Sequence, residues 1–261
     1  MTMEDWEFKT ARDIGMTGRE RYRSYQREGG LVETSLRLMW WSCVRLSLTC
    51  CHRIEYRGLE HLPQQPPFVI VANHQSHLDA LIIGSALPLR MRDHLCPLAA
   101  GDVFFEVPAL AAFSAMAINA LPVWRKNCGQ QGLKSLRKRL VEEQCLYILF
   151  PEGTRTRTGE MGPFLPGVGM MVAGTQVPVV PCYIRGAFRA FPPGSRLPRL
   201  SKIGLTFGMP LDFSELPNRR ASWNKIAEET EQVIRGLMPS ADLDPQRDST
   251  SSPNRDTVGE D

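Results

Sequence analysis

No two of the seven cysteines form a CxxC pair, and no histidine lies beyond His94. The first absence removes the usual zinc-ribbon and thioredoxin-like readings and fits a reducing compartment, with several cysteines inside apolar runs where they act as small hydrophobes. The second deprives a metal hydrolase of downstream ligands, because His52, His61, His74, His77 and His94 are all early. A transmembrane span needs about 18 to 20 apolar residues without charge. The best candidate, from Leu36 to Cys51, is interrupted by Arg45 and bounded by Arg37 and Arg53. The amino terminus carries Glu4, Asp5 and Glu7 where a secretory leader needs a basic patch and an apolar run. Neither export nor a span is expected. There is no GxSxG serine nucleophile, no internal repeat and no nucleic-acid-binding motif. Gly162-Pro-Phe-Leu-Pro-Gly167 runs into Val168-Gly169, so the Lys and Ser/Thr of a nucleotide-binding loop are missing.

What the chain does have is 261 residues, 43% apolar and 23% charged, enough for one substantial core. Its net charge of +3 is unevenly spread. Residues 240–261 hold six acids against two arginines, so the rest carries +7. A basic body suits anionic lipid headgroups, acidic carriers or phosphorylated substrates rather than nucleic acid. Residues 1–32 read as a polar arm or a loosely attached helix, 33–239 as the folded domain and 240–261 as a disordered acidic tail, poor in apolar residues.

Apolar runs alternate with helical stretches through the middle of the chain. Strands are expected over 53–57, 68–72, 95–99, 120–124, 146–150, 177–184 and 202–207, and helices over 78–87, 108–117, 131–143, 168–175 and 222–238. The expectation is a single α/β domain with a mixed, mostly parallel sheet flanked by helices. Residues 33–51 form an amphipathic helix in which Leu36, Met39, Trp40, Cys43 and Leu46 share one face, with Arg37, Trp41 and Arg45 on the neighbouring stripe. Such a helix either lies in a membrane interface or covers the core. The basic run Lys134, Arg137, Lys138 and Arg139 reads as a solvated face, or as a surface for anionic lipid or an acyl carrier protein.

The chemistry is concentrated where Phe68-Val-Ile-Val-Ala ends in Asn73-His74-Gln75-Ser76-His77-Leu78-Asp79. The carboxyl end of a strand is where α/β folds commonly build sites. A histidine held by a carboxylate is suited to take a proton from an alcohol. On a regular helix, side chains five apart diverge by about 140°. His74 and Asp79 can therefore meet only if the chain turns between them. A second cluster, Phe150-Pro-Glu152-Gly153-Thr154-Arg155-Thr-Arg157, again follows a strand. Gly153 permits close backbone approach, the arginines suit phosphate oxygens, and Glu152 can order them or bond a glycerol hydroxyl.

In this order and spacing, from about Ile54 to Pro210, the two clusters resemble the glycerolipid acyltransferase family, known best for 1-acylglycerol-3-phosphate acyltransferases. Its NHxSxxD motif is matched by Asn73, His74, Ser76 and Asp79, and its FPEGTR motif by Phe150 to Arg155. The resemblance implies that His74 is the base and Asp79 its partner, and that Glu152, Gly153, Thr154 and Arg155 bind the acceptor. Leu121-Pro-Val-Trp-Arg125 is similar to an intervening motif that makes Arg125 a further phosphate ligand. Pro178 and Pro181 match a last motif that shapes the acyl pocket. The implied reaction moves an acyl group from a coenzyme A or acyl-carrier-protein thioester to a lysophospholipid hydroxyl. No cofactor or metal is needed, and the enzyme would sit peripherally on the cytoplasmic side of a membrane. Where many members carry a Lys, this chain reads Ala99-Ala-Gly-Asp102 and Phe164-Leu-Pro166-Gly167. A less phosphorylated acceptor therefore stays open. So do a non-catalytic membrane-binding relative and, more remotely, a metal site of His74, His77 and Asp79.

Overall fold

The computed structural model describes residues 11, 13–24, 28, 30–101, 105–123, 130–195 and 197–239. Its seven strands are β1 (Glu55–Arg57), β2 (Phe68–Ala72), β3 (Leu95–Ala100), β4 (Leu121–Val123), β5 (Leu146–Leu149), β6 (Val179–Arg185) and β7 (Gly204–Phe207). They form one sheet in the order β1-β7-β6-β2-β5-β3-β4. Every neighbouring pair is parallel except β6 and β7. Each expected strand is present, and the mixed, mostly parallel α/β architecture is as expected. Pro178 lies just outside β6, so that strand starts at Val179 rather than 177.

The helices are α1 (Gly18–Arg23), α2 (Leu31–His52), α3 (Asp79–Ala86), α4 (Leu89–Arg92), α5 (Pro108–Met116), α6 (Gln130–Glu142), α7 (Gly167–Val172), α8 (Ala187–Ala190) and α9 (Arg220–Gly236). The short α4 and α8 are additions to the sequence expectation, and α1 gives the amino-terminal arm the helix that was one of its two readings. For α1 a signal existed, because Thr17 and Glu20 form a reciprocal capping box. The acidic tail lies outside the described residues.

β2 is apolar throughout because both faces of the sheet are covered. Phe68, Ile70 and Ala72 face α2 and α3, while Val69 and Val71 face the side where Leu136 and Leu140 of α6, Val172 of α7 and Ile226 of α9 pack. Trp41 of α2 is fully buried on the first face. It fits because residue 84 is glycine: a Cβ there would lie 2.2 Å from the indole ring.

α2 buries the neighbouring stripe rather than the one its apolar residues suggest. Its buried residues are Glu33, Arg37, Trp41, Val44, Leu48 and His52, whereas Leu38, Met39, Cys43 and Leu46 are exposed. The buried charges have partners that sequence spacing cannot reveal: Arg21 contacts Glu33 at 3.0 Å, and Asp93 lies 3.7 Å from Arg37. The basic run on α6 is divided, with Lys134 and Lys138 exposed as on a solvated face and the two arginines engaged. Arg137 donates to the carbonyls of Met170, Met171 and Ala173 at the end of α7 and the turn after it, and Arg139 pairs with Glu143 at 2.9 Å.

Candidate active site

β2, β3, β4, β5 and β6 run in one direction, so their carboxyl ends share one edge of the sheet. The two motif loops leave β2 and β5, which are direct neighbours, at that edge. Proximity of the two clusters is therefore a consequence of strand order.

After Ala72 the chain turns instead of entering a helix. Asn73 fixes the departure point, because its side-chain amide donates to the Ile184 carbonyl at 3.0 Å and accepts from the Ile184 N–H at 2.7 Å, extending the β2–β6 pairing by one side chain. The Ser76 hydroxyl donates to the Phe191 carbonyl and accepts from the Leu78 N–H. The turn folds over Asp79, the first residue of α3, and one carboxylate oxygen, Oδ2, takes three donors. These are His74 Nδ1–H at 2.8 Å, the Gln75 N–H at 2.6 Å and the Ser76 N–H at 2.7 Å.

Asp79 is fully buried. Burial pushes its carboxyl above the ordinary value, against the opposing pull of His74 and the two backbone donors. Its second oxygen, Oδ1, is buried without a hydrogen-bond partner among the described residues. An ionised carboxylate only accepts, so the proton on the facing nitrogen belongs to His74 Nδ1 and the lone pair is left on Nε2. The imidazole is stacked on Phe150, with ring centroids 4.2 Å apart and planes at 16°. It keeps 22% side-chain exposure. The arrangement is a base with a fixed tautomer and one open nitrogen.

The loop after β5 is laced to the same residue. The His74 N–H donates to Glu152 Oε1 at 2.7 Å, and the His74 carbonyl accepts from the Thr156 N–H at 2.9 Å. Glu152 Oε2 accepts from the Gly162 N–H at 2.9 Å. Desolvation raises the Glu152 carboxyl, while these backbone donors act to lower it. Gly153 adopts φ +72°, the left-handed region that favours glycine, and its N–H returns to the Phe150 carbonyl. Thr154 is exposed beside it.

Arg155 has no hydrogen-bond or ion-pair partner among the described residues, and its Nη1 is buried. Burial lowers its guanidinium below the ordinary value, with the Asp79 charge opposing. A cation without a partner among the described residues, beside a base, is the arrangement expected of an anion-binding group rather than a structural ion pair.

A family model described as Acyltransferase matches residues 53–185, just over half of the chain, and spans both loops. The chain belongs to the acyltransferase family. Among curated relatives, 1-acyl-sn-glycerol-3-phosphate acyltransferase alpha of Ovis aries is 32% identical over 131 residues, covering 49% of this chain and 44% of that protein. The chloroplastic enzyme BAT2 of Brassica napus is also 32% identical, over 157 residues, covering 58% of this chain and 42% of its own length. The chain thus matches less than half the length of these relatives. The crystal structure of the 1-acyl-sn-glycerophosphate (LPA) acyltransferase PlsC from Thermotoga maritima superposes with a TM-score of 0.59 at 24% identity. The overlap is 86% of this chain and 83% of that one, a likeness of fold.

Not every family position converges on His74. β4 ends at Val123 on the site edge, and Arg125 lies outside the described residues. Pro178 and Pro181 are not brought to the dyad. Pro178 accepts from the Val69 N–H at the amino end of the ladder, and Pro181 is level with Val71, its ring near Gly208. His77 turns toward Phe191, with centroids 6.2 Å apart, where desolvation and the Arg155 and His74 charges push its imidazolium down to about 4. Among the described residues no three His, Cys, Asp or Glu side chains converge as metal ligands.

Sequence reading missed three features of the site: the Phe150 ring beneath His74, the Glu152–Gly162 bond and the Asn73–Ile184 clasp. Phe150 and Asn73 stood inside the matched motifs, whereas Gly162 carried no signal.

Proposed function

We propose that this acyltransferase moves a fatty acyl group from a coenzyme A or acyl-carrier-protein thioester to the free hydroxyl of 1-acylglycerol-3-phosphate, giving phosphatidic acid and the free thiol. The observation that carries the reading is the His74–Asp79 dyad, with Nε2 facing away from Asp79, next to Arg155, which has no partner among the described residues. The relatives' names point to the same acceptor.

His74 Nε2 accepts the hydroxyl proton as the oxygen attacks the thioester carbon. Asp79 holds the tautomer and stabilises the imidazolium. The tetrahedral intermediate collapses with loss of the thiolate, which takes the proton back from His74. No acyl-enzyme is required. Arg155, with Arg125 as the second expected ligand, meets the phosphate, and Gly153 and Thr154 line its approach. The thioester is already activated, so the residues need supply only proton transfer, orientation and charge.

The reaction is proposed to occur on a membrane surface, at the cytoplasmic side. No helix among the described residues is long and apolar enough to cross a membrane. The outward stripe of α2 and the exposed Leu197 and Leu200 in the β6–β7 connection, at the site edge, suit peripheral contact.

The test is transfer of oleoyl or palmitoyl groups by the purified chain to lysophosphatidate and to monoacylglycerol, which lacks the phosphate. Preference for lysophosphatidate, with Arg155→Ala raising its KM by about ten- to a hundredfold, is the expected result. Equal use of both acceptors, insensitive to Arg155, would replace lysophosphatidate with a less phosphorylated acceptor.

A further inference from the structure

We propose that Glu152 is a positioning residue for the base rather than a ligand of the acceptor, and that α9 holds the far end of its brace. The inference rests on the reading above for the role of His74. Both backbone polar groups of His74 are engaged by the segment that follows β5, its N–H by Glu152 and its carbonyl by Thr156. The two motif loops are therefore joined at the base itself.

Each carboxylate oxygen of Glu152 accepts a backbone N–H, from His74 on one side and from Gly162 on the other. Gly162 permits that approach, since a Cβ there would lie 3.3 Å from Oε2. A carboxylate beside an anionic headgroup would oppose its binding, whereas charge-assisted bonds to two N–H groups give the same carboxylate a structural use.

The segment carrying Gly162 is held in turn from α9. Glu231 accepts from the Phe164 N–H at 2.8 Å, Arg235 donates to the Met161 carbonyl at 3.1 Å, and the two side chains pair at 2.9 Å. α9 lies beyond residues 53–185, the part that the family model matches. The brace thus runs from the last helix through residues 161–164 and Glu152 to the His74 backbone.

The experiment compares the full chain with its Glu152→Gln and Glu231→Gln variants, using lysophosphatidate and oleoyl-coenzyme A. Both kcat and acceptor KM are measured, and nitrogen-detected NMR of the histidine side chains follows the tautomer and titration of His74. Gln keeps the shape of Glu152 but can accept from only one of the two N–H groups. Glu152→Gln is expected to lower kcat about ten- to a hundredfold, leave acceptor KM within about twofold and shift the His74 signals. Glu231→Gln should act in the same direction by about two- to fivefold, and it carries the test alone if the Glu152 variant does not fold. A tenfold or larger rise in acceptor KM with kcat and the His74 signals unchanged would make Glu152 a headgroup ligand and overturn the proposal. Unchanged kinetics and spectra would overturn it as well. Should the wild-type chain transfer no acyl group, the functional reading fails on its own, while the His74 signals still decide whether the brace exists.

Discussion

At the scale of single residues, the site spends stability on chemistry. Asp79 is fully buried, has one oxygen without a partner among the described residues and carries a raised pKa. The folded chain therefore holds a proton on Asp79 at pH values where the unfolded chain has released it. Stability from this group falls as pH rises through that window, so the ionised form is a cost near neutrality. Asp79→Asn is accordingly expected to lower acyl transfer by about 10²- to 10⁴-fold while its urea unfolding free energy at pH 7 is no lower than that of the wild type. His77 has the other sign. With its imidazolium pushed down to about 4, the unfolded chain binds that proton more readily between pH 6.5 and 4, and stability is lost as pH falls through that interval. His77→Asn should show a smaller drop in unfolding midpoint between pH 7 and 5 than the wild type does. The dyad itself was legible in the sequence, because five residues after a strand can be inspected for a turn. The bond from the His74 N–H to Glu152 was not, since a backbone donor is present whatever residue stands at position 74 and its acceptor lies 78 positions on.

At the scale of elements, α2 is the instructive case. Spacing identified a helix over 33–51, and the structure extends it to Leu31–His52. Periodicity could not tell which stripe faces inward, because both stripes carry large apolar groups: Trp41, Val44 and Leu48 on one, Leu38, Met39 and Leu46 on the other. The choice is made by the surface that receives them. Gly84 leaves a slot for Trp41, and Asp93 meets Arg37. Trp41→Ala should therefore cost about 3 to 5 kcal/mol in chemical denaturation. A Leu38→Ser, Met39→Gln, Leu46→Ser variant is expected to keep its stability within about 1 kcal/mol and lose sedimentation with anionic lipid vesicles at least severalfold. The basic run on α6 teaches the same lesson in reverse. Four charges close together in sequence looked like one surface, yet Arg137 caps α7, a partner that spacing cannot reveal, and Arg139 pairs with Glu143 at the end of its own helix, while Lys134 and Lys138 stay exposed.

For the molecule as a whole, the sheet order turns two distant sequence motifs into one site. β2 and β5 are separated by more than 70 residues and lie side by side, so the loops that leave them meet at a shared edge. Strand positions and fold class were readable because the central strands of a parallel sheet covered on both faces need apolar runs such as that of β2, whereas the edge strand β1, Glu55-Tyr56-Arg57, is short and polar. Strand order was not readable from those runs. Their family resemblance supplied the convergence before the pairing was known. The edge shared by β2 and β5 is where an acyl-transfer base is proposed, and it is there that a test bears on the whole molecule. The direct measurement is product formation from oleoyl-coenzyme A and lysophosphatidate by the purified chain and its His74→Ala variant, each checked for folding and vesicle binding. Phosphatidic acid is expected from the wild type and a loss of at least about 10²-fold in the variant, with folding and vesicle binding unchanged. Product formation that survives the loss of His74, or a folded wild type that binds vesicles and transfers nothing, would contradict it.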